Sequence, residues 1–250
     1  MLPALVVVVY SETRHEPDIL VMDRPVLTYV RLSCNIRASN GVGAAAVAVV
    51  DFWYSIGSTY TYLSVMRLAD VARSSGVSFR WRPFNVRHIM IQQNNIPFKD
   101  KPVKTAYMWR DVERRAHQYG LLPKIPAPYP LPGLVLANQI AVLGAAEGWV
   151  ESYTRATYRR RFEGGEPAGE EPNIAGSLRE AGQDPGRVLE LAQAAPIVKA
   201  LSDATDEAMA LGVFGSPTFV VAGEVFWGDD RLEDAIRWAD GQRGAPQPDH

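Results

Sequence analysis

The apolar period of this chain switches from strand-like to helical and back again. From about Ala46, "AVAVVDFWY" is a short β-branched and aromatic run, the mark of a buried strand. In "TYLSVMRLADVARSSG", Leu63, Met66, Leu68 and Val71 recur at near-helical spacing, and Gly76 supplies a C-terminal stop. "VSFRWRPF" alternates apolar and polar residues and predicts a second strand. This strand–helix–strand unit has the length of a βαβ crossover.

From about Ile96 to Leu211 the spacing is mostly helical. "KPVKTAYMWRDVERRAHQYG" predicts a long amphipathic helix that stops at Gly120. The Pro-rich "LPKIPAPYPLPG" can only be a connector. Helices are expected in "LVLANQIAVLGAAEGW", "VESYTRATYRRRFEGG", "NIAGSLREAG", "DPGRVLELAQAA" and "APIVKALSDATDEAMALG", with Asp184 and Asp203 as helix-start residues. "GGEPAGEEP" at 164–172 reads as a flexible loop. The strand period then returns in "SPTFVVAGEVFWG", a hairpin turning at "AG". "DDRLEDAIRWADG" predicts a last helix whose acidic first turn complements the helix dipole.

The order βαβ, helical block, ββα is that of a thioredoxin-like α/β fold with a large all-helical insertion. The expected domain covers 46–241, built from 46–88 and 212–241 with 89–211 inserted. Residues 1–45 match no pattern in the rest and are expected to be a poorly ordered extension. The Pro/Gly-rich 242–250 is expected to be a disordered tail.

Composition narrows the function. The 250 residues are 47% hydrophobic and 22% charged, with a net charge of -2, so no global field attracts nucleic acid. No apolar run is long enough for a membrane span, and the first residues are a poor match to a secretory signal. Cys34 is the one cysteine, so no internal disulfide can form. Cytoplasm is the expected compartment. The four histidines have no metal-ligand spacing, and no metal is expected.

In a thioredoxin fold the redox motif sits where the first strand meets the first helix, facing an X-Pro dipeptide before the third strand. Here that dipeptide is Ser216-Pro217, and a cis bond is expected between them. At the motif position stand Ser58-Thr59-Tyr60-Thr61, so dithiol–disulfide exchange is impossible there. On residues alone, Ser58 is better read as an N-cap that only satisfies backbone donors.

Five pieces in order, "DFWYSIGSTYTYL", "FRWRPF", "KTAYMWRDVERRA", "GVFGSPTFVV" and "FWGDDRLE", resemble the bacterial 2-hydroxychromene-2-carboxylate isomerases and the related kappa-class glutathione transferases. The resemblance runs from about Val47 to Asp240. The usual family motif Ser-Pro-x-Ser-Tyr-Leu is here "STYTYL", with Thr59 in place of proline and Thr61 in place of the second serine.

The resemblance implies glutathione as a cofactor that is not consumed, its thiol hydrogen-bonded by Ser58 and its ionisation favoured by a helix N-terminus. A drop of about one to two units, roughly 1.4 to 2.7 kcal/mol, would make that thiol mostly ionised at neutral pH. It further implies that the backbone of Ser216, before Pro217, pairs with the cysteinyl unit. Asp230, with Asp229 and Arg231 beside it, would meet the charged ends of the tripeptide. A small aromatic carboxylate as substrate needs cations and an apolar wall. Tyr60, Arg82, Asn85, Arg87, Lys104 and Tyr107 are the candidates. The implied activity is cis–trans isomerisation of 2-hydroxychromene-2-carboxylate or a similar acid. The alternatives are a kappa-like transferase or peroxidase, and a glutathione- or peptide-binding protein without catalysis. Relatives are often dimers, so a homodimer is the assembly to test.

Overall fold

The computed structural model describes residues 5–9, 18–22 and 47–242. It divides into two units, 1–44 and the rest. In the first, β1 (Leu5–Val9) and β2 (Asp18–Met22) form an antiparallel ribbon with Leu5 opposite Met22 and Val9 opposite Asp18. The other residues of the extension expected to lack order lie outside the described residues, as do 243–250 of the expected tail.

In the second unit, β3 (Val49–Tyr54) is an inner strand of a four-stranded sheet ordered β4-β3-β5-β6. β4 (Ser78–Pro83) runs parallel to it, with Phe52 opposite Trp81; β5 (Thr218–Val221) runs antiparallel, with Phe52 opposite Phe219. β6 (Glu224–Trp227) returns through Ala222 and Gly223, both at positive φ, which is the backbone a two-residue hairpin needs.

Because side chains alternate along β3, both faces carry core. Phe52 and Tyr54 stack at 4.9 Å, and Phe52 meets Phe219 at 5.4 Å, on the face covered by α1 (Thr61–Ser75) and the insertion. Trp53 points the other way, onto Phe84 and the residues of α2 (Val86–Gln92) and α8 (Ala195–Ala210). Each fully buried aromatic of this set contributes roughly 1.5–3 kcal/mol of apolar burial. α9 (Leu232–Gln242) packs on β5, closing the ββα unit.

The insertion contains α3 (Pro102–Gln118), α4 (Leu134–Glu147), α5 (Val150–Arg159), α6 (Asn173–Glu180), α7 (Pro185–Ala192) and α8. Asp184 caps α7, its carboxylate accepting from Arg187 N, as expected. Asp203 does not start a helix. It lies inside α8, whose first turn holds Pro196, and it pairs with Lys199 one turn back at 2.6 Å. α2 carries no apolar period long enough to be read from sequence; Asn85 caps it by accepting from His88 N at 3.3 Å. α5 runs on into a single π turn, Arg160–Gly164.

The acidic 164–172 stretch is not a free loop. Ala168 is fully buried, and the backbone of Gly169 lies so close to Gly133 that a Cβ on either would land on the other's carbonyl. Two glycines thereby anchor the loop to the start of α4.

Candidate functional site

The site is built around the turn that joins β3 to α1. Helix α1 cannot start earlier, because Ser55 to Ser58 close a tight turn in which Ser58 N donates to Ser55 O at 3.1 Å. The insertion holds this turn from several sides. Asn138 of α4 accepts from Ile56 N at 2.9 Å. The Tyr158 hydroxyl of α5 donates to Ser55 O and Ser58 O at 3.0 and 3.1 Å. Arg161, in the π turn, donates to Gly57 O at 3.5 Å and to Pro128 O at 3.2 Å. A turn whose polar groups are met by buried side chains of the scaffold is a rigid platform for a reactive group.

The peptide bond between Ser216 and Pro217 is cis, as the sequence leads one to expect, and Ser216 lies against the turn. Ser58 Oγ donates to Ser216 O at 2.6 Å and accepts weakly from Thr61 N at 3.4 Å. Ser216 Oγ accepts from Ser55 N at 2.9 Å and lies 2.8 Å from Thr61 Oγ1. The two threonines that depart from the usual motif therefore have partners: Thr61 bonds Ser216, and Thr59 Oγ1 donates to Met108 Sδ at 3.1 Å.

Ser58 and Ser216 open onto a cleft of about 380 Å³. Its walls are largely apolar, with Met90, Phe98, Met108, Tyr129, Phe214 and Trp227. Arg87 and Lys104 also line it, no lining residue is acidic, and neither cation pairs with a carboxylate among the described residues. The cleft thus has a cationic, apolar character suited to an aromatic anion.

The sequence-derived candidates divide in two. Ser58, Tyr60, Arg87, Lys104, Tyr107 and Ser216 line the cleft, with Pro217 directly behind Ser216. Tyr60 donates to Asp111 Oδ2 at 3.0 Å, and burial together with that carboxylate pushes its phenol pKa up. Arg82 and Asn85 are not among the lining residues. Arg82 pairs with Glu207 and lies 4.5 Å over the Trp53 ring, while Asn85 is occupied as a helix cap. Asp229, Asp230 and Arg231, in a short 3₁₀ turn before α9, also stand outside the cleft lining. Asp229 is buried and accepts from Arg115 at 2.6 Å, Ser64 at 2.8 Å and Arg67 at 3.1 Å, so its charge is spent inside the protein. Asp230 and Arg231 are exposed and pair with each other at 3.1 Å.

Sequence reasoning missed Tyr129, Met90, Phe214 and Trp227 as wall residues, and Asn138, Tyr158 and Arg161 as supports of the turn. Tyr129 lies in the connector, where no period exists to place it. The supports sit on helices at positions a hydrophobic pattern would assign to core, and a polar residue interrupting an apolar face was the signal that could have found them.

Comparison with known proteins agrees with this architecture. The family described as DSBA-like thioredoxin domain matches residues 49–236. A curated relative, the 2-hydroxychromene-2-carboxylate isomerase of Sphingobium xenophagum, is 26% identical over 186 residues, covering 74% of this chain and 94% of its own. Glutathione S-transferase kappa 1 of Caenorhabditis elegans is 24% identical over 206 residues, covering 73% and 87%. A solved structure of 2-hydroxychromene-2-carboxylate isomerase superposes with a TM-score of 0.69 at 25% identity, over 78% of this chain and 95% of that one. With a matching sheet, a cis proline facing the first helix and most of its length aligned, the chain belongs to the DsbA-like thioredoxin domain family.

Proposed function

We propose that the protein is a glutathione-dependent cis–trans isomerase acting on 2-hydroxychromene-2-carboxylate or a similar aromatic acid. One observation carries the reading: a hydroxyl, Ser58, occupies the head of α1 opposite the cis Ser216–Pro217 bond, where a dithiol enzyme needs cysteine, and it faces an acid-free cleft with two cations.

The donor set fits glutathione. Ser58 carries one proton, now given to Ser216 O at 2.6 Å. Rotating that proton toward a sulfur at the helix head frees the Ser216 carbonyl to accept an amide N–H of an extended peptide. The head of α1 adds the positive end of the helix dipole, which favours an anion. Asp229 is committed to Arg67 and Arg115, which leaves the exposed Asp230 and Arg231 as the groups for the α-amino and carboxylate ends of the tripeptide. When bound, glutathione supplies a sulfur nucleophile that adds reversibly to a conjugated carbon, so that a double bond becomes free to rotate. Arg87 and Lys104 hold the substrate carboxylate, and the aromatic wall excludes water from its ring. The cytosol, rich in glutathione, is the compartment that suits this chemistry.

The relationship to a kappa-class transferase favours a second reading in which the same activated sulfur is transferred or oxidised. A single assay separates them. The purified chain is incubated with glutathione and 2-hydroxychromene-2-carboxylate while aromatic absorbance and free thiol are followed. Isomerisation at constant thiol supports the isomerase; thiol loss with a general electrophile supports the transferase; silence in both, with glutathione bound, leaves a binding protein.

A further inference from the structure

Arg161 is fully buried, yet no carboxylate among the described residues pairs with it. Its Nε donates to Pro128 O at 3.2 Å, one Nη donates to Gly57 O at 3.5 Å, and the other Nη has no partner among the described residues. The guanidinium carbon also lies 5.1 Å from the centre of the Phe162 ring. Burial pushes the Arg161 pKa down to about 10, so the group still carries its charge at neutral pH. A buried, unpaired cation is costly, and an acidic partner or an apolar replacement would usually be better for stability alone. Its place accounts for the cost. Gly57 and Tyr129, which flank the guanidinium on two sides through Gly57 O and the neighbouring Pro128 O, are both walls of the cleft. The charge therefore stands behind the wall, one peptide bond from Ser58, where a low dielectric carries its field into the site.

We propose that Arg161 is a positioning residue that fixes the Gly57–Ser58 peptide and, through its uncompensated charge, favours the anionic form of the sulfur ligand held at Ser58. The inference rests on the glutathione reading, and it assigns part of the thiol activation to a side chain of the insertion in addition to the head of α1. The anion in the cleft is the missing counter-charge: ligand and guanidinium neutralise one another across the wall, and the titratable neighbours of the guanidinium are the phenols of Tyr158 and Tyr129.

The test is a pH titration of the ultraviolet thiolate absorbance of glutathione bound to the full chain, in the native protein, Arg161→Gln and Arg161→Lys. Calorimetric binding of S-methylglutathione, whose sulfur cannot ionise, serves as the reference. The expected result is a midpoint raised by about one pH unit in Arg161→Gln, a tenfold change in the thiol's acid dissociation constant, with most of the shift restored in Arg161→Lys and S-methylglutathione affinity unchanged. Should Arg161→Gln not fold, Arg161→Met, of similar length, reports the same midpoint. An unmoved midpoint in the uncharged variant overturns the proposal, and so does an equal loss of affinity for S-methylglutathione, which would mark a purely structural role. If the native chain binds neither ligand, the glutathione reading fails and this inference with it; if it binds both and the midpoint stays, this inference alone fails.

Discussion

Ser58 Oγ lies 2.6 Å from the carbonyl oxygen of Ser216 and donates its proton to it. The two residues are 158 positions apart in sequence, and the bond ties the head of the first helix of the domain to the loop before its third strand. It keeps both groups that a bound thiol peptide would use, the hydroxyl donor and the strand-edge acceptor, paired with one another until a ligand takes them.

Ser58→Ala removes the donor but little of the fold, since its capping bond to Thr61 N is long at 3.4 Å. A hydrogen bond to a charged group is worth about 1.5–3 kcal/mol, so turnover should fall roughly tenfold to a hundredfold while stability changes by about 1 kcal/mol or less. Steady-state kinetics beside urea unfolding checks both; turnover equal to native would take Ser58 out of the chemistry.

Arg87 lines the cleft and has no acidic partner among the described residues. Arg87→Gln should raise KM for an aromatic carboxylate by about tenfold with kcat nearly constant, because the lost attraction acts equally on bound substrate and transition state. Glutathione affinity should not move. Kinetics with each substrate varied in turn reads the split; a fall in kcat at constant KM would place Arg87 in another role.

Asp229 neutralises Arg67 and Arg115 in a buried cluster, and Ser64 satisfies it further. Asp229→Asn leaves two largely buried guanidinium groups facing an amide and should cost about 3 kcal/mol or more in denaturant unfolding. A loss under about 1 kcal/mol would show that water or Glu233, 2.7 Å from Arg67, takes over the compensation.

Glu147 bridges α4 to α7 through Arg187, and that pair, with a bond from Trp149, holds its carboxyl below the usual range. A carboxylate whose folded pKa is depressed stabilises above its unfolded pKa and loses that contribution as pH falls through the folded value. The pair is solvent-accessible, so Glu147→Gln should lose only about half a kcal/mol at neutral pH. The difference should vanish in acid, below the depressed pKa. Thermal melting of both proteins across pH tests this, and a gap that persists in acid would contradict it.

The sheet and most helices were legible because their apolar periods are long and clean. β3, α1 and the β5–β6 hairpin lie where "AVAVVDFWY", "TYLSVMRL" and "SPTFVVAGEVFW" place them, and Ala222-Gly223 forms the turn that its chemistry demands. Where periods are short or compete, the reading failed for physical reasons. Asp203 has the chemistry of a helix cap, but the Lys199 pair and the apolar face of α8 carry the helix through it. The "GGEPAGEEP" stretch looks solvated, yet a close backbone approach of Gly133 and Gly169 packs it down. Half of the candidate site residues meet at the cleft because they flank the β3–α1 turn or project from α2 and α3. Arg82 and Asn85, two and one residues from Phe84, are drawn instead to Glu207 and to the head of α2, since neighbours on a strand end need not face the same way.

The most direct measurement is the ultraviolet thiolate absorbance of glutathione mixed with the native chain and with Ser58→Ala at neutral pH. The account predicts a thiolate band in the native complex, saturating with glutathione, and its near disappearance in Ser58→Ala. Glutathione that binds the native chain with its sulfur protonated, or a band of equal size in the variant, would contradict it.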